Sequence, residues 1–70
     1  MIYHFTRHAL RRMEKRGISE EDVLYCIDHH HTSYPGEVDC VQYIAEVRDR
    51  NLKVVVNQVK MNIVTTMWLD

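Results

Sequence analysis

The stretch that most restricts the fold is RGISEED (residues 16–22), where one helix stops and another starts with almost nothing between them. Gly17 stands where a helix end wants a left-handed residue, and Ile18 follows, placed to fold back onto the last turn. Ser19 opens the next helix. Asp22, three residues on, makes a variant of the capping box, and Glu20 and Glu21 suit the positive helix end. At the other end of the first helix, Thr6 is a fair N-cap and Phe5 staples back against it, while Lys15 and Arg16 suit the negative terminus. The spacing therefore predicts a first helix closed by Gly17 and a second running from Ser19 to about His30, meeting at a tight corner.

Beyond that corner the period changes. TSYPGEVD (32–39) holds the sole Pro–Gly site and reads as a turn or loop. VQYIAEVR (41–48) alternates as a half-buried strand, LKVVVNQV (52–59) is a β-branched second strand, and IVTTMWL (63–69) is a third. The short polar turns DRN and KMN between them favour an antiparallel meander. The expected fold is a single α+β domain over residues 1–70, α-α-β-β-β. Two N-terminal helices precede a three-stranded antiparallel β-meander, with the first helix lying across the sheet. A chain of 70 residues buries only about 60% of its unfolded surface, so a homodimer or a partner protein would support the core.

Charge is uneven although the formal net value is −1. Residues 7–16 hold five Arg/Lys and one Glu, whereas residues 20–39 hold six acids and no Arg or Lys. A local basic patch on a nearly neutral protein follows. Cys26 and Cys40 read as free thiols of a cytoplasmic protein. No apolar run suggests a membrane span or a signal peptide.

The basic residues of the first helix raise a question. On a helical wheel Phe5, Ala9 and Met13 share one face, and Arg12 and Arg16 fall on or beside it with His8 at its edge. Snorkelling stems would explain that placement. So would an anion site at the helix–sheet border, where planar guanidinium forks suit phosphate and the His8 imidazole lies one turn from Arg12. Lys53 on the second strand and Thr65 on the third are candidates to complete it. General acid–base cleavage of RNA needs such groups: a base for the 2′-hydroxyl, a proton donor for the leaving oxygen and cations for the phosphorane. The run His29-His30-His31 reads as a polar helix C-terminus, because neighbouring helical side chains point about 100° apart and cannot share one ion. No zinc signature or phosphate loop is present, so neither metal nor cofactor is expected. The scattered tyrosines and Trp68 read as core or cross-strand packing more readily than as stacking platforms for bases.

The opening helix also carries a resemblance. Phe5, Thr6, His8, Ala9, Arg12, Met13, Arg16, Gly17, Ile18 and Ser19 match a pattern close to F-[ST]-x-H-A-x-x-R-M-x-x-R-G-I-[ST]. This resembles the start of a family of small bacterial and archaeal domains of unknown function. The closing IVTTMW is similar to that family's last strand. More distantly the pattern looks like the RelE- and BrnT-type ribonuclease toxins of toxin–antitoxin systems. That resemblance implies a metal-independent endoribonuclease, or an inactive descendant, held in check by an antitoxin-like protein. Arg12 and Arg16 would bind phosphate, His8 would act as acid, base or orienting group, and Lys53 and Thr65 would assist from the sheet. Two other readings stand beside it: a non-catalytic interaction module that dimerises or binds a partner through its sheet, and an RNA-binding protein without catalysis.

Overall fold

The computed structural model describes residues 3–69. Its elements in chain order are β1 (His4–Phe5), α1 (Arg7–Arg16), α2 (Glu20–Asp28), β2 (Thr32–Pro35), β3 (Cys40–Val47), β4 (Arg50–Asn57) and β5 (Asn62–Trp68). The helix ends are built by the residues that signal them. Thr6 Oγ1 accepts from the Ala9 N–H at 3.1 Å. Gly17 adopts φ +68° and turns its N–H back to the Glu14 carbonyl, while the Ile18 N–H reaches the Met13 carbonyl at 2.9 Å. Ser19 and Asp22 exchange side-chain and backbone bonds, each 3.0 Å long, in a complete capping box. Only Gly17, Ile18 and Ser19 separate the helices, because each terminus satisfies its own backbone groups.

The expected three-stranded meander is wrong. The sheet has five strands in the order β1-β5-β4-β3-β2, and it is mixed. β3, β4 and β5 run antiparallel, and a strand flanks them on each side. β1 lies parallel to β5, with His4 opposite Asn62 and Phe5 opposite Ile63. Two residues cannot display a period, so no alternation announced it. β2 arises from Thr-Ser-Tyr-Pro, the first half of the expected loop, and pairs antiparallel with β3. Its proline is tolerated because β2 is an edge strand, where a missing N–H can face away from the ladder. The turn is confined to residues 36–39, closed by the Gly36 N–H donating to the Cys40 carbonyl at 2.9 Å.

Both helices cover the same face of the sheet, α1 over β5 and α2 over β3 and β4. The core between the layers holds Ala9 and Met13 of α1, Ile18 of the corner, Val23, Cys26 and Ile27 of α2, and Ala45, Val47, Leu52, Val54, Val56 and Ile63 of the sheet. On the opposite face, cross-strand rows run Thr32–Ile44–Lys53–Met67 and Tyr34–Gln42–Val55–Thr65. No described helix covers these rows. A β-bulge sets which residues of β5 face which layer. Val56 pairs with Ile63 but Val55 pairs with Thr65, leaving Val64 as the extra residue. Beyond it the alternation is reset, so Thr66 is fully buried and Thr65 lies on the open face.

Candidate functional site

The basic surface begins on α1, which carries Arg7, Arg11, Arg12, Lys15 and Arg16 against Glu14 alone, five charges minus one for a net +4. Ala9 and Met13 anchor one side of the helix in the core. The remaining side chains form an open groove of about 510 Å³ lined by His8, Arg11, Arg12, Glu14, Lys15 and Arg16. Within it the Arg12 Nε donates to His8 Nε2 at 2.8 Å, one turn away. That bond requires a lone pair on Nε2 and so places the imidazole proton on Nδ1. It also fixes the plane of the guanidinium, whose two terminal nitrogens remain on an exposed residue.

Arg16 has a different task. It is half-buried, and its Nη1 donates to the Thr66 carbonyl of β5. In return the Trp68 Nε1 donates to the Arg16 carbonyl at 2.7 Å. This reciprocal pair ties the last turn of α1 to β5. The inward tilt of Arg16 therefore serves the helix–sheet joint, whereas Arg12, one turn earlier, belongs to the groove.

The five residues singled out in the sequence do not converge. His8 and Arg12 meet, and Arg16 borders the same groove. Lys53 and Thr65 lie on the uncovered face, because Leu52 and Val54 on either side of Lys53 are fully buried toward the helices. There they help line a separate groove of about 280 Å³ with Cys40, Gln42 and Val55. The sheet stands between the two sets.

Two features were not singled out. Arg11 and Lys15 join the α1 groove, and their helical spacing from His8 and Arg12 was a sufficient signal. The second is a cluster beside the C-terminus of α1. The Arg48 Nη2 donates to the Gly17 carbonyl at 2.9 Å and pairs with Asp22 Oδ2 at 2.8 Å. The guanidinium carbons of Arg48 and Arg50 lie 5.6 and 4.2 Å from the centroid of the Trp68 ring. Only the hairpin registers, which set Leu52 opposite Trp68 and Val47 opposite Arg50, bring these residues together.

The histidine run closes α2. The His29 Nδ1 lies 3.3 Å from the Tyr25 carbonyl and its ring stacks on Tyr25 at 4.3 Å. The His30 Nδ1 lies 2.8 Å from the Ile27 carbonyl, with its ring tilted against Tyr43. Both rings lie against carbonyls of the last turn of α2, and the Tyr25 carbonyl also accepts from the His29 backbone N–H at 2.8 Å. Among the described residues no three His, Cys, Asp or Glu side chains gather as a metal ion would need. Nor is any described helix long and apolar enough to cross a membrane. Cys26 is fully buried, and both cysteines are free thiols. Burial pushes the Cys26 thiol up to about 11, partly offset by a hydrogen bond from the Ala45 backbone. It offers no reactive thiolate near neutral pH.

Compared with known proteins, the chain gives one match. A family model described as a domain of unknown function (DUF4258) covers residues 5–68. No curated protein and no solved structure matches.

Proposed function

The chain belongs to the DUF4258 family of domains of unknown function, and from that premise we propose that it is an RNA-binding protein and metal-independent endoribonuclease of the RelE/BrnT-like toxin kind, acting through the exposed face of α1. The observation that carries this reading is the Arg12–His8 hydrogen bond inside a groove lined by cations. A planar guanidinium held at one nitrogen presents its other two as a fork, a shape suited to phosphate. Arg11 and Lys15 add charge along the same face, and single-stranded RNA can follow it without a second protein wall.

The chemistry is coupled to binding. A phosphate that takes the Arg12 Nε together with a terminal nitrogen displaces His8 from Nε. Once Arg12 turns to the phosphate, His8 Nε2 is released to take the proton of a 2′-hydroxyl. The 2′-oxygen bonds to phosphorus while the bond to the 5′-oxygen breaks. The leaving oxygen takes a proton from water, the hydroxide so formed takes back the proton held by His8, and a cyclic phosphate remains. Arg12 and Arg11 offset the charge that develops on phosphorus oxygens. Lys53 and Thr65 have no part in this step, because they lie across the sheet.

The deciding experiment is cleavage of a mixed RNA in EDTA by wild type, His8→Ala and Arg12→Ala, with binding followed by anisotropy. Cleavage by wild type alone, with weaker binding only in Arg12→Ala, is the expected result. Salt-sensitive binding with no cleavage by any of the three would reduce the protein to an RNA binder. Absence of both would remove the reading.

A second reading has its own observation. The uncovered sheet face carries half-buried Ile44, Val55 and Met67 beside exposed Val64. An antitoxin-like protein or a second copy of the chain would dry these residues, as in an interaction module. Light scattering that shows a dimer indifferent to RNA would favour it.

A further inference from the structure

We infer that two copies of the chain pair through their helix layers, α1 of each copy seated on α2 of the other, in a two-fold dimer that covers the basic groove. The inference stands on the charges of the two helices and does not use the RNA reading. α1 has a net charge of +4, whereas α2 carries Glu20, Glu21, Asp22 and Asp28 with no Lys or Arg, a net −4. Both helices lie on one face of the sheet. The outer side of that layer is therefore split into a basic half over β5 and an acidic half over β3 and β4.

Little of this charge is neutralised within the chain. Asp22 is taken by Arg48 at 2.8 Å. Among the described residues Arg7, Arg11, Lys15, Glu20, Glu21 and Asp28 enter no ion pair, and all six are exposed. The acidic half also offers a receptor for a cation. A groove of about 360 Å³ beside α2 is lined by Glu21, Asp22, Tyr25, Glu46, Val47 and Arg48. Its three carboxylates outnumber its one guanidinium, which Asp22 already holds. Carboxylates beside an exposed aromatic ring suit an arginine or a lysine. Arg11 and Lys15, which line the groove of α1, are such side chains.

Symmetry makes the two halves complementary. A two-fold axis running between the helices turns the basic half of one copy onto the acidic half of the other, and every contact is made twice. Both halves of each copy are then used, so growth stops at two. Each helix also exposes one large apolar side chain, Leu10 at 41% and Tyr25 at 48%, which the opposing helix dries. The sheet edges offer no rival contact, because β1 has two residues and β2 ends in a proline. Helices of 10 and 9 residues are rods about 15 and 14 Å long and about 10 Å across, an outline on the order of 300 Å². That is small for a permanent dimer and belongs with weak, charge-driven association. A copy in the dimer has α1 covered, so self-association and ligand binding on α1 exclude one another.

Sedimentation velocity of the full chain tests this. Wild type at about 100 μM is run in about 0.01 M salt, where the Debye length is about 30 Å, and in about 1 M salt, where it is about 3 Å. A dimer in low salt is expected, with a dissociation constant that rises more than about tenfold in high salt. A chain that is monomeric in low salt, a dimer indifferent to salt, or growth past the dimer overturns the inference. Charge reversal then locates the surface. Arg11→Glu/Lys15→Glu and Glu20→Lys/Glu21→Lys, each checked for fold by circular dichroism, should be monomeric alone in low salt. Mixed in equal amounts they should form a heterodimer, because every contact again joins opposite charges. Variants that still dimerise alone, or a mixture that stays monomeric, refute the interface between the helices. Should either double variant not fold, the single reversals Arg11→Glu and Glu21→Lys take their place under the same criteria.

Discussion

Arg12 and Arg16 share a residue type and a helix stripe, yet their surroundings give them opposite duties. Arg16 donates to the Thr66 carbonyl of β5, so its loss removes one of the two bonds that join the end of α1 to the sheet. Arg16→Ala should cost about 1–2 kcal/mol in urea unfolding, and Arg12→Ala should stay within about 0.5 kcal/mol, the range of an ordinary surface change. Removing both arginines together would therefore confound stability with activity. Thr66 makes the converse case. Its side chain is fully buried and its Oγ1 has no hydrogen-bond partner. Thr66→Val keeps the shape and removes the unpaired hydroxyl, so it should raise stability by about 1 kcal/mol. A lower midpoint would mean that the hydroxyl is satisfied in solution.

At the scale of elements, the same backbone angle is met in two ways. Gly17 has φ +68° with open space where a Cβ would sit. The cost of Gly17→Ala is then almost purely conformational, about 1 kcal/mol by thermal melting. Asp49, at φ +64°, occupies the hairpin position where glycine is favoured. Asp49→Gly should stabilise the β3–β4 hairpin by roughly 0.5–1 kcal/mol. Opposite signs at matched angles would show that local backbone preference, rather than side-chain contact, governs both turns. The helix corner was legible in the sequence because every group that builds it lies within a few residues. β2 was not, since a proline and a neighbouring glycine speak for a turn unless a partner strand is known to lie beside them.

Across the whole molecule, stability should fall in alkali. The Cys26 thiol sits between α2 and the sheet, where its Sγ donates to the Leu52 carbonyl at 3.4 Å. Burial raises it from an ordinary 9.0 to about 11 in the folded chain. The folded state thus holds this proton more tightly than the unfolded state, and its contribution is complete below about pH 9. It should be lost as pH rises from 9 toward 11, because the unfolded chain releases the proton first. Tyr3 is shifted upward as well, chiefly by burial and further by Tyr43 and Asp28, which steepens the same trend. A denaturation midpoint flat between pH 9 and 11 would contradict this account. Thiol labelling supplies a second check: Cys40 should react in the folded protein, and Cys26 only after unfolding.

The sequence by itself determined what depends on near neighbours: the caps at Thr6, Gly17 and Ser19, the change from helical to strand period, the basic side of α1 and the placing of Lys53 opposite Leu52 and Val54. Those features arise from hydrogen bonds and side-chain spacing within a turn or two. Tertiary structure alone decided which sheet face the helices cover, the addition of β1 and β2 to the sheet, and the meeting of Arg48 and Arg50 with Trp68. It also decided the orientation of β5. Uninterrupted alternation from Ile63 would bury Thr65 and expose Thr66 and Trp68, whereas one extra residue at Val64 reverses both. Nothing local marks that residue as a bulge. Its cost is recovered only when Trp68 reaches the Arg16 carbonyl and Thr66 offers its own to Arg16, two bonds that span some fifty residues of chain.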